Sequence, residues 1–414
     1  VGNGSLSGFM QTGPNTYTAL VTPTATGTVT IDVPAGGASD AAGNGNAAAA
    51  QATSQYDATP PGVAISGVPA QSNAPFTATF TFDEPVVGFG AGDIAVGNGS
   101  ASSFVQTGPT TYTALITPAS DGTVTVDVPA GAAQDTAGNA STAAAQATSQ
   151  YDGTGPAVAI SGVPAVASGP FPATFTFDET VTGFDVADIV IGNGAASGFV
   201  QTGPMTYTAL ITPTADGTVT IDVPAGAAQD AFGNASTAAA QATTQFDATP
   251  PSVAISGVPA NANGPFTTTF TFDEVVSGFD AGDIVVGNGT PSNLVQTGPT
   301  TYTALITPAA EGPVTIDVPP GAAQDSAGNA STAAAQASTS YDTTAPTVDI
   351  TGVPGQSDGP FTATFTFSED VTGFAISDLG ITNGTASGFV MVSASTYTAL
   401  ITPTAQGQVT IDVP

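Results

Sequence analysis

Apolar and polar residues alternate along much of the chain. In residues 76–82, Phe and Ala occupy every second position and Thr fills the positions between them. The same period of two recurs in residues 111–116 and 123–128. Because successive side chains of a strand point to opposite faces, this pattern predicts half-buried antiparallel strands, each with one apolar face and one threonine-rich face.

Further short strands are expected around these three. The predicted segments are residues 63–68, 86–89, 94–96, 103–106 and 143–150. Turn signals separate them, such as Asn98-Gly99 and Asp121-Gly122. The short alanine run at 143–145 is interpreted as part of the last strand rather than as a helix. A series of about seven or eight short strands divided by turns predicts a β-sandwich.

The whole pattern repeats every 95 residues without insertion or deletion. One position of the repeat is marked by Tyr17, Tyr112, Tyr207, Tyr302 and Tyr397. A linker motif, D-[AGT]-T-[PGA]-P, recurs with the same period and is taken as the boundary. The predicted domains are a partial domain at 1–57, complete domains at 58–152, 153–247 and 248–342, and a partial domain at 343–414. The chain therefore resembles a segment cut from a longer tandem array.

The composition excludes several classes of function. The 414 residues include no Lys, Arg, His or Cys, and 32 Asp and Glu residues give a formal charge of −32. Without His and Cys there is no thiol nucleophile and none of the usual zinc ligands, and without Lys and Arg nothing neutralises nucleic-acid phosphates. No apolar run is long enough for a membrane span. We expect neither an enzyme nor a nucleic-acid-binding protein.

Several segments, taken together, resemble one protein family. V-A-I-S-G-V-P at 63–69, F-T-A-T-F-T-F-D-E at 76–84, T-Y-T-A-L-I-T-P at 111–118 and V-P-A-G-A-A-Q-D-T-A-G-N at 128–139 are similar to the bacterial Ig-like tandem repeat of very large surface adhesins. The resemblance covers the whole chain. It implies an all-β fold of tandem immunoglobulin-like β-sandwich domains arranged as an elongated rod. It also implies an extracellular, cell-surface stalk, often rigidified by calcium, and no catalysis.

Acidic residues recur at fixed positions of every complete repeat. In each one a glutamate ends a strand, an aspartate and an asparagine share a D-x-x-G-N loop, and an aspartate lies in the following linker. These groups could converge at one pole of a sandwich, and calcium takes carboxylate and amide oxygens as ligands. The candidate calcium ligands are Glu84, Asp135, Asn139 and Asp152; Glu179, Asp230, Asn234 and Asp247; and Glu274, Asp325, Asn329 and Asp342.

Alternatives stay open for both the residues and the function. The D-x-x-G-N loop suits Asx turns that need no metal. The first function is a non-catalytic stalk or spacer of a giant adhesin, stiffened by calcium at domain junctions. Its partners would be other copies or neighbouring repeats of the same chain, and regions outside this segment would bind a glycan or surface receptor. The second is a self-assembling extracellular filament or biofilm-matrix protein whose repeats associate with each other or with glycans.

Overall fold

The computed structural model describes all residues from 1 to 414, and its regular structure consists of β-strands and four single-turn 3₁₀ helices. The chain forms two compact units, Val1–Ala248 and Thr249–Pro414. The first unit contains the first partial repeat and the repeats at 58–152 and 153–247. The second contains the repeat at 248–342 and the last partial repeat. No helix is long and apolar enough to cross a membrane.

The strands of the first compact unit follow the same order in each repeat. The first partial repeat contains β1 (Gly4–Gly13), β2 (Thr16–Pro23), β3 (Gly27–Ile31) and β4 (Ala52–Tyr56). The second repeat contains β5 (Val63–Ser66), β6 (Gln71–Ser72), β7 (Phe76–Phe82), a 3₁₀ helix (Ala91–Asp93), β8 (Ala95–Gly97), β9 (Gly99–Gln106), β10 (Thr111–Pro118), β11 (Gly122–Asp127) and β12 (Ala147–Tyr151). The third repeat contains β13 (Val158–Ser161), β14 (Val166–Ala167), β15 (Phe171–Phe177), a 3₁₀ helix (Val186–Asp188), β16 (Val190–Gly192), β17 (Gly194–Gln201), β18 (Thr206–Pro213), β19 (Gly217–Asp222) and β20 (Ala242–Phe246).

The second compact unit continues the series. The fourth repeat contains β21 (Val253–Ser256), β22 (Asn261–Ala262), β23 (Phe266–Phe272), a 3₁₀ helix (Ala281–Asp283), β24 (Val285–Gly287), β25 (Gly289–Gln296), β26 (Thr301–Pro308), β27 (Gly312–Asp317) and β28 (Ala337–Tyr341). The last partial repeat contains β29 (Val348–Thr351), β30 (Phe361–Phe367), a 3₁₀ helix (Ile376–Asp378), β31 (Gly380–Thr382), β32 (Gly384–Ser393), β33 (Thr396–Pro403) and β34 (Thr410–Asp412).

Each complete repeat is a sandwich of two four-stranded sheets. In the second repeat the sheet orders are β5-β7-β10-β9 and β6-β12-β11-β8, and the third and fourth repeats have the same arrangement. All pairs are antiparallel except β6 with β12, which is parallel. The predicted all-β sandwich fold is therefore confirmed.

The alternating apolar positions form the core between the two sheets. Phe80 and Phe82 of β7 and Ile116 of β10 point inward from one sheet, and Val124 and Val126 of β11 do so from the other. All five side chains are fully or almost fully buried. Burying each such side chain stabilises the fold by about 1.5–3 kcal/mol, which accounts for the strict period of two in these strands.

An aromatic cluster fills one region of this core. Phe89 makes edge-to-face contacts with Phe82 and Tyr112, with ring centroids 5.1 and 5.2 Å apart, and Phe104 stacks on Tyr112. Such pairs add about 0.5–1.5 kcal/mol each beyond the area that they bury. In the fourth repeat Leu294 takes the place of Phe104 and packs against the core without this stacked contact.

Three predicted strands differ clearly from the structure, and one of them, expected at 103–106, begins four residues earlier, as β9 at Gly99. Residues 86–89 form no strand: Val86 and Phe89 are both buried, and Gly88, at φ +86°, turns the chain between them. Val87 makes only an isolated bridge to Gln134. The last strand begins at Ala147 rather than at 143, and the two-residue strand β6 was not predicted. Pairing with strands that are distant in sequence, which local patterns do not reveal, decided these differences.

Candidate metal centre

The D-x-x-G-N loop holds a buried carboxylate. The Oδ1 atom of Asp135 accepts hydrogen bonds from the backbone N–H groups of Ala137 and Asn139, both at 2.8 Å. The other oxygen, Oδ2, accepts one from the side-chain Nδ2 of Asn139 at 2.7 Å. Gly138 between them has φ +93°, a conformation that glycine adopts without strain. Only 3% of the Asp135 surface is exposed, so the loop positions a negative charge inside the protein.

The same loop binds the linker that precedes the repeat. The Nδ2 atom of Asn139 also donates to the backbone carbonyl of Asp57 at 3.1 Å, and the N–H of Thr142 donates to the carbonyl of Pro61 at 2.9 Å. These two bonds join segments that are more than 80 residues apart in sequence. They bring Asp57, the first residue of the linker motif, to the side of Asp135.

Strand pairing brings the third acid to this position. The antiparallel pair β5–β7 sets Val63 opposite Phe82, so the residues just after β7 lie beside those just before β5. Glu84 therefore lies at the end of the sandwich where the chain enters. Carboxylate oxygens of Asp57, Glu84 and Asp135 all lie within 4.8 Å of one another.

The third repeat has the same arrangement. Carboxylate oxygens of Asp152, Glu179 and Asp230 lie within 4.8 Å of one another. The Nδ2 atom of Asn234 donates to the carbonyl of Asp152 at 2.9 Å and to Oδ2 of Asp230 at 2.8 Å. We call the groups Asp57–Glu84–Asp135 and Asp152–Glu179–Asp230 the two linker clusters.

The sequence-based grouping of these residues is corrected by the structure. Asp152 was expected to join Glu84 and Asp135, but it lies with Glu179 and Asp230 of the repeat that follows it. The reason is the course of the chain: Tyr151 at the end of β12 pairs with Gly122, at the opposite end of the sandwich from Glu84. Asp57 and Asp152 thus each lie with the acids of the repeat that follows them, and Asp57 was missed as a candidate ligand. The period of 95 residues, which relates Asp57 to Asp152, is the signal that could have found it.

The remaining candidate residues are Asp247, at the end of the first compact unit, and those of the second unit. Asp247 lies in the first unit, where its backbone N–H donates to the carbonyl of Ala167. Within the second unit, carboxylate oxygens of Glu274 and Asp325 lie within 4.8 Å of each other. Asn329 donates from Nδ2 to Asp325 at 2.8 Å, as its counterparts do. Asp342 precedes the last partial repeat and accepts a bond from the N–H of Thr344.

Two other recurring acids have separate roles. Asp93 accepts a hydrogen bond from the N–H of Gly90 at 2.8 Å and so caps the 3₁₀ helix. Asp127, at the end of β11, accepts one from the side chain of Gln146 at 2.7 Å. Neither belongs to a linker cluster.

In each linker cluster three carboxylates lie close together, and the chain has no basic side chain to balance their charge. Burial raises the pKa of the Glu84 carboxyl above its ordinary value, and the charges of Asp135 and Asp57 raise it further. The pKa of Glu179 is raised in the same way, by burial and then by Asp230 and Asp152.

The pKa of the buried aspartate in each cluster is shifted in the opposite direction. Burial also acts to raise the pKa of Asp135, but hydrogen bonds from Asn139 and Ala137 outweigh it and hold that pKa below its usual range. Each cluster therefore combines an aspartate held ionised with a glutamate that resists ionisation. This is the arrangement that a positive charge would relieve.

The donor set fits a hard divalent cation. Three carboxylates from separate segments, with a backbone carbonyl close by, are the oxygen ligands that calcium prefers. The side-chain nitrogen of Asn139, rather than its oxygen, faces this set: it donates to the carboxylate of Asp135 and to the backbone carbonyl of Asp57. Asn139 and its counterparts therefore position the acids, and Asp57, Glu84 and Asp135 would hold the ion.

A further acid that sequence reasoning missed fixes the linker from the other side. Oδ1 of Asp121, in the turn between β10 and β11, accepts a bond from the N–H of Gly153 at 2.7 Å, and Oδ2 accepts one from the hydroxyl of Thr154 at 2.6 Å. These bonds lower the pKa of Asp121. At the preceding linker the equivalent residue is Thr26, whose hydroxyl accepts a bond from the N–H of Ala58.

The fold and the linker clusters define a class of protein, tandem immunoglobulin-like β-sandwiches joined by short acidic linkers. A family model of the bacterial Ig-like domain matches five consecutive segments, residues 1–56, 57–151, 152–246, 247–341 and 342–413. The chain belongs to the bacterial Ig-like domain family. The resemblance identified from the sequence is thereby confirmed.

Solved structures of bacterial surface proteins are similar to the chain. They include the Escherichia coli adhesin FdeC, with 16% identity over 67% of this chain and 98% of that chain and a TM-score of 0.31. Invasin, a bacterial integrin-binding protein, has 17% identity over 85% of this chain and 76% of that chain, with a TM-score of 0.37. InvD of Yersinia pseudotuberculosis has 18% identity over 68% of this chain and 98% of that chain, with a TM-score of 0.29. These likenesses are of fold alone. A search of curated protein sequences finds no match.

Proposed function

We propose that this chain is a non-catalytic, extracellular structural region, a stalk or spacer of a giant bacterial surface adhesin, and that calcium stiffens its linkers. Membership of the bacterial Ig-like domain family and the unbroken tandem repeat support a spacer whose length is its function. A receptor or glycan would be bound by other regions of the parent protein. The absence of Lys and Arg also deprives trypsin-like proteases of cleavage sites, which suits exposure outside the cell.

The observation that carries the proposal is the position of the linker clusters. Each one joins an aspartate of the linker to acids from two loops of the repeat that follows. A cation bound there would tie the linker to the repeat at three points, whereas without it the three carboxylates repel one another. Extracellular modules bind calcium with a Kd of about 10⁻⁴ to 10⁻³ M, so millimolar calcium outside the cell would fill such sites.

Small-angle scattering tests the stalk. A rod of four repeats about 150 Å long has a radius of gyration of about 43 Å, whereas a compact globule of this chain length has one of about 22 Å. We expect the larger value in millimolar calcium. A value near that of the globule would refute the stalk, whatever the result for calcium.

Thermal unfolding with calcium or a chelator tests the metal separately. We expect calcium to raise the Tm of the wild-type chain, and the variant D57N/D152N to lose most of this increase. The control is D127N/D222N, which removes the same number of charges outside the linker clusters. These two carboxylates accept hydrogen bonds from the side chains of Gln146 and Gln241. An equal response of the two variants, or no response of the wild type, would overturn the calcium sites.

A further inference from the structure

The outer face of one sheet is rich in threonine and free of charge. In the sheet β5-β7-β10-β9, the register pairs Thr79 with Thr113 and Thr81 with Thr111. Val105 of β9 pairs with Thr113 on the same face, and Leu115 lies two residues further along β10. We call this surface the threonine face. In the second repeat its central residues are Thr77, Thr79, Thr81, Val105, Thr111, Thr113, Leu115 and Thr117.

No acidic residue lies on any strand of this sheet in the three complete repeats. The β9–β10 turn, residues 107–110, is also uncharged, as are its counterparts at 202–205 and 297–300. By contrast, the opposite sheet carries Asp127, Asp222 and Asp317 at the ends of β11, β19 and β27. The ends of the sandwich carry the linker clusters and Asp121. In a chain of charge −32, the threonine face is therefore a neutral surface repeated in each complete repeat.

The threonine face also presents apolar side chains to solvent at the same position of each repeat. Val105, Val200 and Val295 are 52%, 53% and 54% exposed. In the third repeat Val200 pairs with Thr208, and Leu210, 41% exposed, is two residues further along the same strand. Methyl groups of Val, Leu and Thr thus form one patch with hydroxyl groups among them.

The edges of this sheet are poorly suited to pairing with another strand. The edge strand β9 has an irregular register between Ser102 and Val105, and Ser103 within it has φ +51°. The other edge strand, β5, has four residues. Bulged and very short edge strands resist the addition of a further strand. Contact between copies would therefore use the face of the sheet rather than its edge.

We infer that the threonine face is the surface through which two copies of this chain associate side by side. Because the chain has no basic side chain, the opposite sheet and the two ends of the sandwich, which carry the recurring acids, would set carboxylate against carboxylate, and juxtaposed like charges disfavour an interface. Two threonine faces bring together only uncharged side chains, most of them Thr, Val and Leu. The partner that fits this surface is thus a second copy of the same chain.

The size of the face sets how many repeats must take part. Four strands of four to eight residues, about 13–26 Å long and about 4.8 Å apart, cover roughly 400 Å². A stable interface buries about 800 Å² on each partner, so a single face is too small. Association therefore involves several repeats at once, and each added repeat acts at a high effective concentration.

Sedimentation velocity of the 414-residue chain, with a chelator present throughout, tests the inference. Repulsion between the −32 charges acts over about 30 Å at 0.01 M monovalent salt and over less than 10 Å at 0.3 M. We expect monomers at the lower salt concentration and concentration-dependent dimers or larger species at the higher one. The chelator removes any contribution from the proposed calcium sites, so the two proposals are tested independently.

Two matched variants locate the surface. V200D/V295D places a carboxylate on two threonine faces. The control, V190D/V285D, makes the same substitution at two valines of the opposite sheet, each of them 52% exposed. These valines pair with Asp222 and Asp317 and lie outside the threonine face. We expect V200D/V295D to weaken self-association at least about tenfold and V190D/V285D to leave it unchanged. A wild type that stays monomeric at high salt, or equal effects of the two variants, would overturn the inference.

Discussion

Asn139 donates a hydrogen bond from its side-chain nitrogen to the backbone carbonyl of Asp57, 3.1 Å away and 82 positions earlier in the chain. The same nitrogen donates to the carboxylate of Asp135. One side chain thus joins the linker to the loop that holds the buried acid. Asn234 repeats both contacts in the next repeat, with Asp152 and Asp230.

Replacing this asparagine should loosen the linker and destabilise the repeat. N139A removes two hydrogen bonds and leaves a buried carboxylate oxygen of Asp135 with one donor fewer. We expect a loss of about 1–3 kcal/mol in the unfolding free energy, measured by chemical denaturation. The control N263A changes an exposed asparagine and should stay within about 0.5 kcal/mol of the wild type. Equal losses in both variants would contradict the role of Asn139.

The fourth repeat contains a buried hydroxyl that should be dispensable. Thr268 is fully buried and its Oγ1 has no hydrogen-bond partner, whereas the equivalent residues are Ala78, Ala173 and Ala363. T268V keeps the volume and removes the hydroxyl, so we expect a gain of about 1–3 kcal/mol. Hydrogen exchange of β23 and β26 amides would report it. The exposed neighbour variant T267V should have little effect, and a destabilised T268V would refute the prediction.

The linker clusters predict an unusual dependence of stability on pH in the presence of a chelator. The pKa values of Glu84 and Glu179 are raised above the ordinary 4.5, so the folded state retains protons that the unfolded state loses. Stability should therefore rise as the pH falls through these raised values towards 4.5. The pKa values of Asp135 and Asp230 are lowered below 3.8, so their contribution is lost as the pH falls further.

Thermal unfolding at a series of pH values measures both parts of this curve. The variant E84Q/E179Q should lose much of the rise and keep the fall at low pH, because Gln carries no proton that titrates. Millimolar calcium should also suppress the rise, since the ion would neutralise the clusters in place of the proton. An unchanged rise in the double variant would show that other carboxyls cause it.

Asp121 should control the order of the linker between the second and third repeats. D121A removes the acceptor for the N–H of Gly153 and the hydroxyl of Thr154. We expect hydrogen exchange of the Gly153 amide to become at least about tenfold faster. The matched variant D216A, which releases the N–H of Ala248, should leave exchange at Gly153 unchanged. Similar exchange at Gly153 in D121A and the wild type would contradict this role.

Local patterns in the sequence predicted most of the strands. The alternation in residues 76–82 matches β7, and that in residues 111–116 lies within β10. Residues 86–89 were misread because Val86 and Phe89 are buried three positions apart, with Gly88 turning the chain. Burial there is set by contact with distant strands rather than by a local period.

The sequence by itself determined the fold class, the repeat and the acids that recur in it. A period of two specifies which face of a strand is buried, and the 95-residue spacing specifies that the same domain is formed again. Only the tertiary structure decided which linker aspartate meets Glu84 and Asp135. The pairing of Val63 with Phe82 places the start of β5 and the end of β7 together, so the cluster contains Asp57 and not Asp152. Hydrogen bonds between distant segments, which no local pattern encodes, fixed that choice.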